Sequence, residues 1–96
     1  MKVMISPGYG AGWSTLNNKE LATDKRVIEA FESGMSEKDM QKYLSSIGYD
    51  NVYMGGYDAC VLEEVPKGTM FEITEYDGHE SIRYIDINRD FILADY

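Results

Sequence analysis

The dipeptide Asp77-Gly78 is the feature that most constrains the fold. It stands between two runs, Thr69–Tyr76 and His79–Ile87, in which apolar and polar residues alternate with a period of two. An Asp-Gly pair between such runs predicts a β-hairpin with a two-residue turn. A turn of that length also fixes which residues of the two strands face each other.

The resulting register separates the hairpin into two faces. One face is expected to join the core, and it carries Phe71, Ile73, Ile82 and Tyr84. On the other face, Glu72 is opposite Arg83, a pair that favours the hairpin. Near the turn, Glu75 is opposite Glu80, and like charges in that position are unfavourable.

Three carboxylates therefore crowd the end of the predicted hairpin: Glu75, Asp77 and Glu80. They are compatible with a docking point for an arginine or lysine of a partner. A solvated turn, in which water and salt screen the repulsion, is an alternative of similar weight. A weak divalent-cation site made of oxygen ligands is a third interpretation, which the sequence favours less than the solvated turn.

The rest of the chain predicts an α+β domain. Lys2–Ser6 reads as a first strand that stops at Pro7. Helical spacing predicts one helix from Thr23 or Asp24 to Gly34 and a second from Ser36 to Gly48. Further strands are expected at Asn51–Met54, Ala59–Val65 and Asp90–Tyr96. We therefore expect an antiparallel sheet of four to five strands with a two-helix hairpin packed on one face.

Length and composition are those of a single domain over residues 1–96. The only cysteine, Cys60, excludes a disulfide within the chain and suits a reducing, cytoplasmic setting. With one cysteine and one histidine, His79, the chain cannot form a Cys/His zinc site alone. No apolar run approaches the length of a membrane span, so we expect no membrane association.

The negative charge is concentrated in the β-rich half. From Asp58 onwards there are ten acidic and three basic residues, which leaves an excess of seven in a total net charge of −8. Such a half repels nucleic acid and attracts a basic partner protein. Direct nucleic-acid binding is therefore not expected. The residues expected to bind the partner are Glu63, Glu64, Glu72, Glu75, Asp77 and Glu80.

A second candidate site is the glycine-rich loop that follows the first strand, residues 8–15. Its spacing, G-x-G-x-G followed by a tryptophan, matches neither a dinucleotide-binding motif nor a P-loop. It still offers aromatic groups on a flexible backbone, which suits a stacking or protein-binding loop. The alternative is that the tryptophan fills the core and the glycines let the chain turn over it. The candidate loop-binding residues are Tyr9, Gly10, Gly12, Trp13 and Ser14.

Catalysis is not expected from this sequence. His79 is the only imidazole, and it lies beside the predicted turn, where nothing is expected to bury it or orient it with Ser81. Cys60 lies in an apolar segment and suits a small core residue. We therefore predict a non-enzyme with no catalytic residues, no metal site and no cofactor.

Several segments resemble a family of small proteins from tailed phages and prophages. They read GYGAGWST from Gly8, LATD from Leu21, VPKGTMFEI from Val65 and EYDG from Glu75. Small phage accessory proteins of this kind are often inhibitors of host systems, including anti-CRISPR and other anti-defence proteins. The resemblance implies a protein of the host cytoplasm that binds a host protein.

Together these features favour an inhibitor whose acidic strands occupy a basic nucleic-acid-binding groove of a host defence protein. The register weakens this hypothesis in one respect, since Glu72 and the Glu75–Glu80 pair lie on opposite faces. Two alternatives remain open: a binder of a signalling nucleotide that uses the Gly8–Thr15 loop, and a self-associating structural component. Edge strands and exposed tyrosines are compatible with a homodimer.

Overall fold

The computed structural model describes residues 1–85 and has an α+β fold. The predicted strand at Asp90–Tyr96 lies outside the described residues. The elements follow one another along the chain as β1 (Lys2–Ile5), a 3₁₀ helix (Lys19–Ala22), α1 (Lys25–Glu32), α2 (Glu37–Ser46), a second 3₁₀ helix (Tyr57–Ala59), β2 (Val61–Glu64), β3 (Met70–Tyr76) and β4 (His79–Ile85). Within residues 1–85, no helix is long and apolar enough to span a membrane.

The expected single sheet is wrong. The described strands form two separate antiparallel pairs, β1 with β2 and β3 with β4. Beyond the end of β1, the Glu80 amide donates to the Ser6 carbonyl at 2.9 Å. That contact joins the two pairs without extending a ladder, because Pro7 has no amide hydrogen to continue it.

The expected strand at Asn51–Met54 is also wrong. Asn51 has a φ of 58°, which lies in the left-handed region and interrupts an extended chain. The backbone of Tyr53 is satisfied by a side chain instead of a strand. Asn17 accepts from the Tyr53 amide at 2.8 Å and donates to its carbonyl at 3.0 Å.

Both predicted helices are present, and a side chain caps the N-terminus of each. The Asp24 side chain accepts from the Arg26 amide before α1, and the Ser36 side chain accepts from the Asp39 amide before α2. Gly34 and Gly48 follow the helices with positive φ angles, as glycines at helix C-termini commonly do.

Two apolar clusters lie on opposite sides of β1. Met4 belongs to the helix cluster, together with Trp13 and residues of α1 and α2. Val3 and Ile5 belong to the hairpin cluster, which contacts the β3–β4 hairpin. Because successive side chains of a strand point to opposite faces, β1 is buried on both sides and holds the two halves of the core together.

The hairpin has the predicted register, including Glu72 opposite Arg83 and Glu75 opposite Glu80. Asp77 and Gly78 both have positive φ, 51° and 81°, as a type I′ turn requires. The apolar face packs on the hairpin cluster through Phe71, Ile73 and Ile82. Tyr84, expected in the core, is exposed, because the hairpin cluster contacts Phe71 opposite it and does not extend to Tyr84 on the neighbouring strand.

Candidate functional site

The most unusual group in the described structure is the carboxylate of Glu80, which is 1% exposed. Oε1 accepts hydrogen bonds from the amide and hydroxyl of Ser6 at 2.9 and 3.1 Å. Oε2 accepts from the amide and hydroxyl of Ser14 at 3.0 and 3.1 Å and from the Thr15 amide at 2.8 Å. Five donors therefore replace the water that a buried carboxylate loses, which is the condition for burying such a group.

The same contacts place the glycine-rich loop on the hairpin turn. The Gly10 amide donates to the Asp77 carbonyl at 2.5 Å, and the Gly12 amide donates to the Gly78 carbonyl at 2.7 Å. Gly78 is doubly constrained, because its φ is positive and an added Cβ would lie 2.7 Å from the backbone of Gly10 and Ala11. The loop and the turn thus form one rigid unit.

This packing uses the loop amides that a phosphate would need. The amides of residues 10 to 16 all donate within the protein: to the hairpin turn, to Glu80, to the Ser6 hydroxyl, or within the loop itself. A phosphate-binding loop depends on such amides pointing at the ligand. The geometry therefore gives no support to the nucleotide-binding alternative.

The five candidate loop-binding residues divide into two groups. Tyr9 and Gly10 are exposed. Gly12, Trp13 and Ser14 are buried, with Trp13 packed in the helix cluster against Tyr57 at a ring-centroid distance of 5.7 Å. The packing thus agrees with the interpretation of Trp13 as a core residue. Of the five candidates, only Tyr9 and Gly10, at the start of the loop, face solvent.

The six candidate partner-binding acids do not form one continuous surface. Glu80 is buried, which corrects the expectation that it lies on an exposed acidic strand face. Glu63 is half-buried, and Glu64 pairs with the N-terminal ammonium at 3.0 Å. The exposed acids Glu72, Glu75 and Asp77 lie on the hairpin.

Each of the hairpin acids has a distinct environment. Glu72 pairs with Arg83 at 2.8 Å. Glu75 accepts from the Gly78 amide at 2.5 Å, so its charge caps the turn. The predicted repulsion between Glu75 and Glu80 is offset because each carboxylate has at least one backbone donor of its own.

An aromatic group lies at the same end of the hairpin. The rings of Tyr9 and His79 stack with their centroids 5.1 Å apart and an angle of 27° between the planes. His79 is opposite Tyr76 in the register, so their side chains share a face. We call Tyr9, Tyr76 and His79, with the turn residue Asp77 and with Glu75 on the opposite strand face, the hairpin tip.

Three titratable groups away from the hairpin, Asp24, Tyr49 and Cys60, have pKa values that are shifted by hydrogen bonds or burial within the fold. The hydrogen bond from Arg26 lowers the pKa of Asp24 to about 2. The pKa of Tyr49 is raised to about 12, mainly by burial and secondly by the hydrogen bond that its hydroxyl donates to Asp24. Burial raises the pKa of the Cys60 thiol, and the negative charges of Glu80 and Asp58 raise it further. That thiol is therefore a poor nucleophile.

Metal ligands are not grouped in the part of the chain that the structure describes. Among residues 1–85, no three side chains of His, Cys, Asp or Glu are placed so that they could hold an ion. The cation-site interpretation of the hairpin carboxylates therefore gains no geometric support, because Glu80 points inward, away from the tip.

The role of Glu80 had one signal in the sequence. The hairpin register places it on the same face as Ile82, two residues further along β4, and that face was assigned to the core. An acid on a core face predicts a buried, partnered carboxylate. Its partners carried no such signal, since Ser6, Ser14 and Thr15 are far from Glu80 in sequence.

Comparison with known proteins yields no relative: no family model, no curated protein and no solved structure matches this chain.

Proposed function

We propose that this chain is a non-enzymatic binding protein of the kind that phages encode against host systems, and that its acidic hairpin half binds a host protein through a basic, nucleic-acid-binding surface. In this role it inhibits the host protein by competing with nucleic acid. The phage origin rests on the sequence resemblance, and the mode of binding rests on the charge distribution.

One observation carries the proposal: among residues 58–85, exposed acidic side chains outnumber exposed basic ones by five to two. This segment contains seven acidic and two basic residues. The acids with exposed side chains include Glu64, Glu72, Glu75 and Asp77, on both strand pairs. Fields of one sign attract a partner of the opposite sign and accelerate association.

The environments of the reactive residue types favour binding over catalysis. Glu80 is surrounded by donors and does not face a cleft. Cys60 donates to the Gly56 carbonyl at 3.2 Å and is held as a neutral thiol. A catalytic base or nucleophile needs a reachable substrate position, and neither group has one.

The experiment is a pull-down from bacterial lysate at low and high salt, followed by identification of the captured protein and a competition assay against duplex DNA. The test variant neutralises the acidic half: Glu64→Gln, Glu72→Gln, Glu75→Gln and Asp77→Asn. The matched control makes the same change in net charge outside the proposed surface: Glu20→Gln, Glu29→Gln, Glu37→Gln and Asp39→Asn, all exposed.

We expect capture at low salt, loss at high salt, and displacement of DNA from the captured protein. The test variant should lose capture, whereas the control should keep it. Equal behaviour of the two variants, or capture that is indifferent to salt, contradicts the proposed surface. Capture without displacement of DNA contradicts the inhibitory mode.

A further inference from the structure

The hairpin tip exposes two large aromatic side chains close to the acidic turn residue Asp77. Tyr9 is 72% exposed and Tyr76 is 75% exposed, the two largest values among the exposed large hydrophobic residues of the described chain. Both adjoin His79, one by ring stacking and the other across the hairpin. Exposed tyrosines contribute most to binding when they are clustered and rigid.

Backbone hydrogen bonds and the buried Glu80 carboxylate hold the tip rigid. Tyr9 immediately precedes Gly10, whose amide is bonded to Asp77, and Tyr76 immediately precedes the type I′ turn. The buried Glu80 carboxylate fixes the loop by accepting hydrogen bonds from the Ser14 and Thr15 amides. A partner that docks here orders few additional bonds, so little conformational entropy is lost on binding.

The charge at the tip selects the chemistry of the partner. Asp77 is exposed in the turn between Tyr76 and His79, and Glu75 is exposed on the opposite face of the hairpin. A guanidinium group stacks on tyrosine faces and donates to carboxylates through a planar fork, whereas an ammonium group is a strongly hydrated point charge. Resting on the proposed function, we infer that the hairpin tip is an arginine-binding site that recognises an arginine-rich segment of the partner protein.

The test uses purified protein and two fluorescent peptides of equal length and charge, oligoarginine and oligolysine, in an anisotropy titration at low salt. The tip variants are Tyr9→Leu and Tyr76→Leu, which keep an apolar side chain and remove the π face. The matched control is Tyr53→Leu, because Tyr53 is another exposed tyrosine and lies in a different loop.

We expect wild-type protein to bind oligoarginine about three- to tenfold more tightly than oligolysine, the preference that one or two cation–π contacts confer. Either tip variant should reduce this preference towards unity and leave oligolysine binding unchanged. The control variant should keep the preference.

Three outcomes overturn the inference. The first is equal affinity for the two peptides in the wild type, the second is a preference that survives both tip variants, and the third is no binding of oligoarginine. The proposed function fails separately, if neutralising Glu64, Glu72, Glu75 and Asp77 leaves capture of the host protein intact. If the two peptides bind equally but neutralisation still abolishes capture of the host protein, the proposed function stands and the arginine selectivity of the hairpin tip is refuted.

Discussion

Replacing Glu80 by glutamine tests whether the buried carboxylate organises this fold. The substitution preserves shape but exchanges one acceptor oxygen for an NH₂ donor. If the NH₂ faces Ser14 and Thr15, two backbone amides lose their acceptor. If it faces Ser6, the hydroxyl can rotate to accept, but the Ser6 amide cannot.

The magnitude follows from the better of these two orientations. One buried amide is left without a partner, which costs about 1–3 kcal/mol, and the remaining bonds lose the extra strength of a charged acceptor. We therefore expect Glu80→Gln to reduce the free energy of unfolding by about 2–4 kcal/mol. Ser14→Ala removes a single donor and should reduce it by about 1 kcal/mol.

Urea unfolding followed by tryptophan fluorescence measures these changes. Trp13 is the only tryptophan, and it is fully buried within the loop that Glu80 holds. The control is Glu75→Gln, which removes the same charge from the facing, exposed position and should change stability by less than about 1 kcal/mol. A Glu80→Gln protein within about 0.5 kcal/mol of wild type would refute the reasoning.

Three further measurements check other parts of the structure. Gly78→Ala should lower the free energy of unfolding by about 1–3 kcal/mol more than Gly34→Ala. Both glycines have a positive φ, but only at Gly78 would the added Cβ collide with the backbone of the glycine-rich loop. Equal effects of the two substitutions would contradict the close approach of loop and turn. Because Arg26 lowers the pKa of Asp24 from 3.8 to about 2, the ionised side chain stabilises the fold above pH 4 and loses that contribution as the pH falls towards 2. Asp24→Asn, which keeps a good N-cap, should therefore be less stable by about 1–2 kcal/mol at pH 5, with a difference that shrinks by pH 2; a gap independent of pH would exclude this linkage. Cys60 should react with a thiol reagent far more slowly in native protein than in urea, since it is buried with a raised pKa; equal rates would show that the site opens readily.

Local sequence determined the secondary structure where the signal spans only a few residues. The Asp77-Gly78 turn set the register of β3 and β4 without help from the rest of the chain, because a two-residue loop admits one pairing. Asp24 and Ser36 set the helix starts in the same way, through bonds to amides two or three residues away. Those predictions are confirmed.

Tertiary structure decided what those elements do with each other. Ser6 and Glu80 are 74 residues apart, and no pattern within either segment indicates that one will solvate the other. The same holds for Asn17, whose side chain satisfies the backbone of Tyr53 where local alternation predicts a strand. Where the sequence suggested a sheet of four to five strands, the described strands form two separate pairs.

The charge pattern shows the same division. The sequence by itself determines how many acids the β-rich half carries, and the hairpin register determines which strand face each acid occupies. Only the packing of Ser6 and the glycine-rich loop against the hairpin decided that Glu80 is buried among five donors while Glu75 and Asp77 stay exposed. The physical reason is that burial of a charge depends on donors brought from distant parts of the chain, which local sequence does not encode.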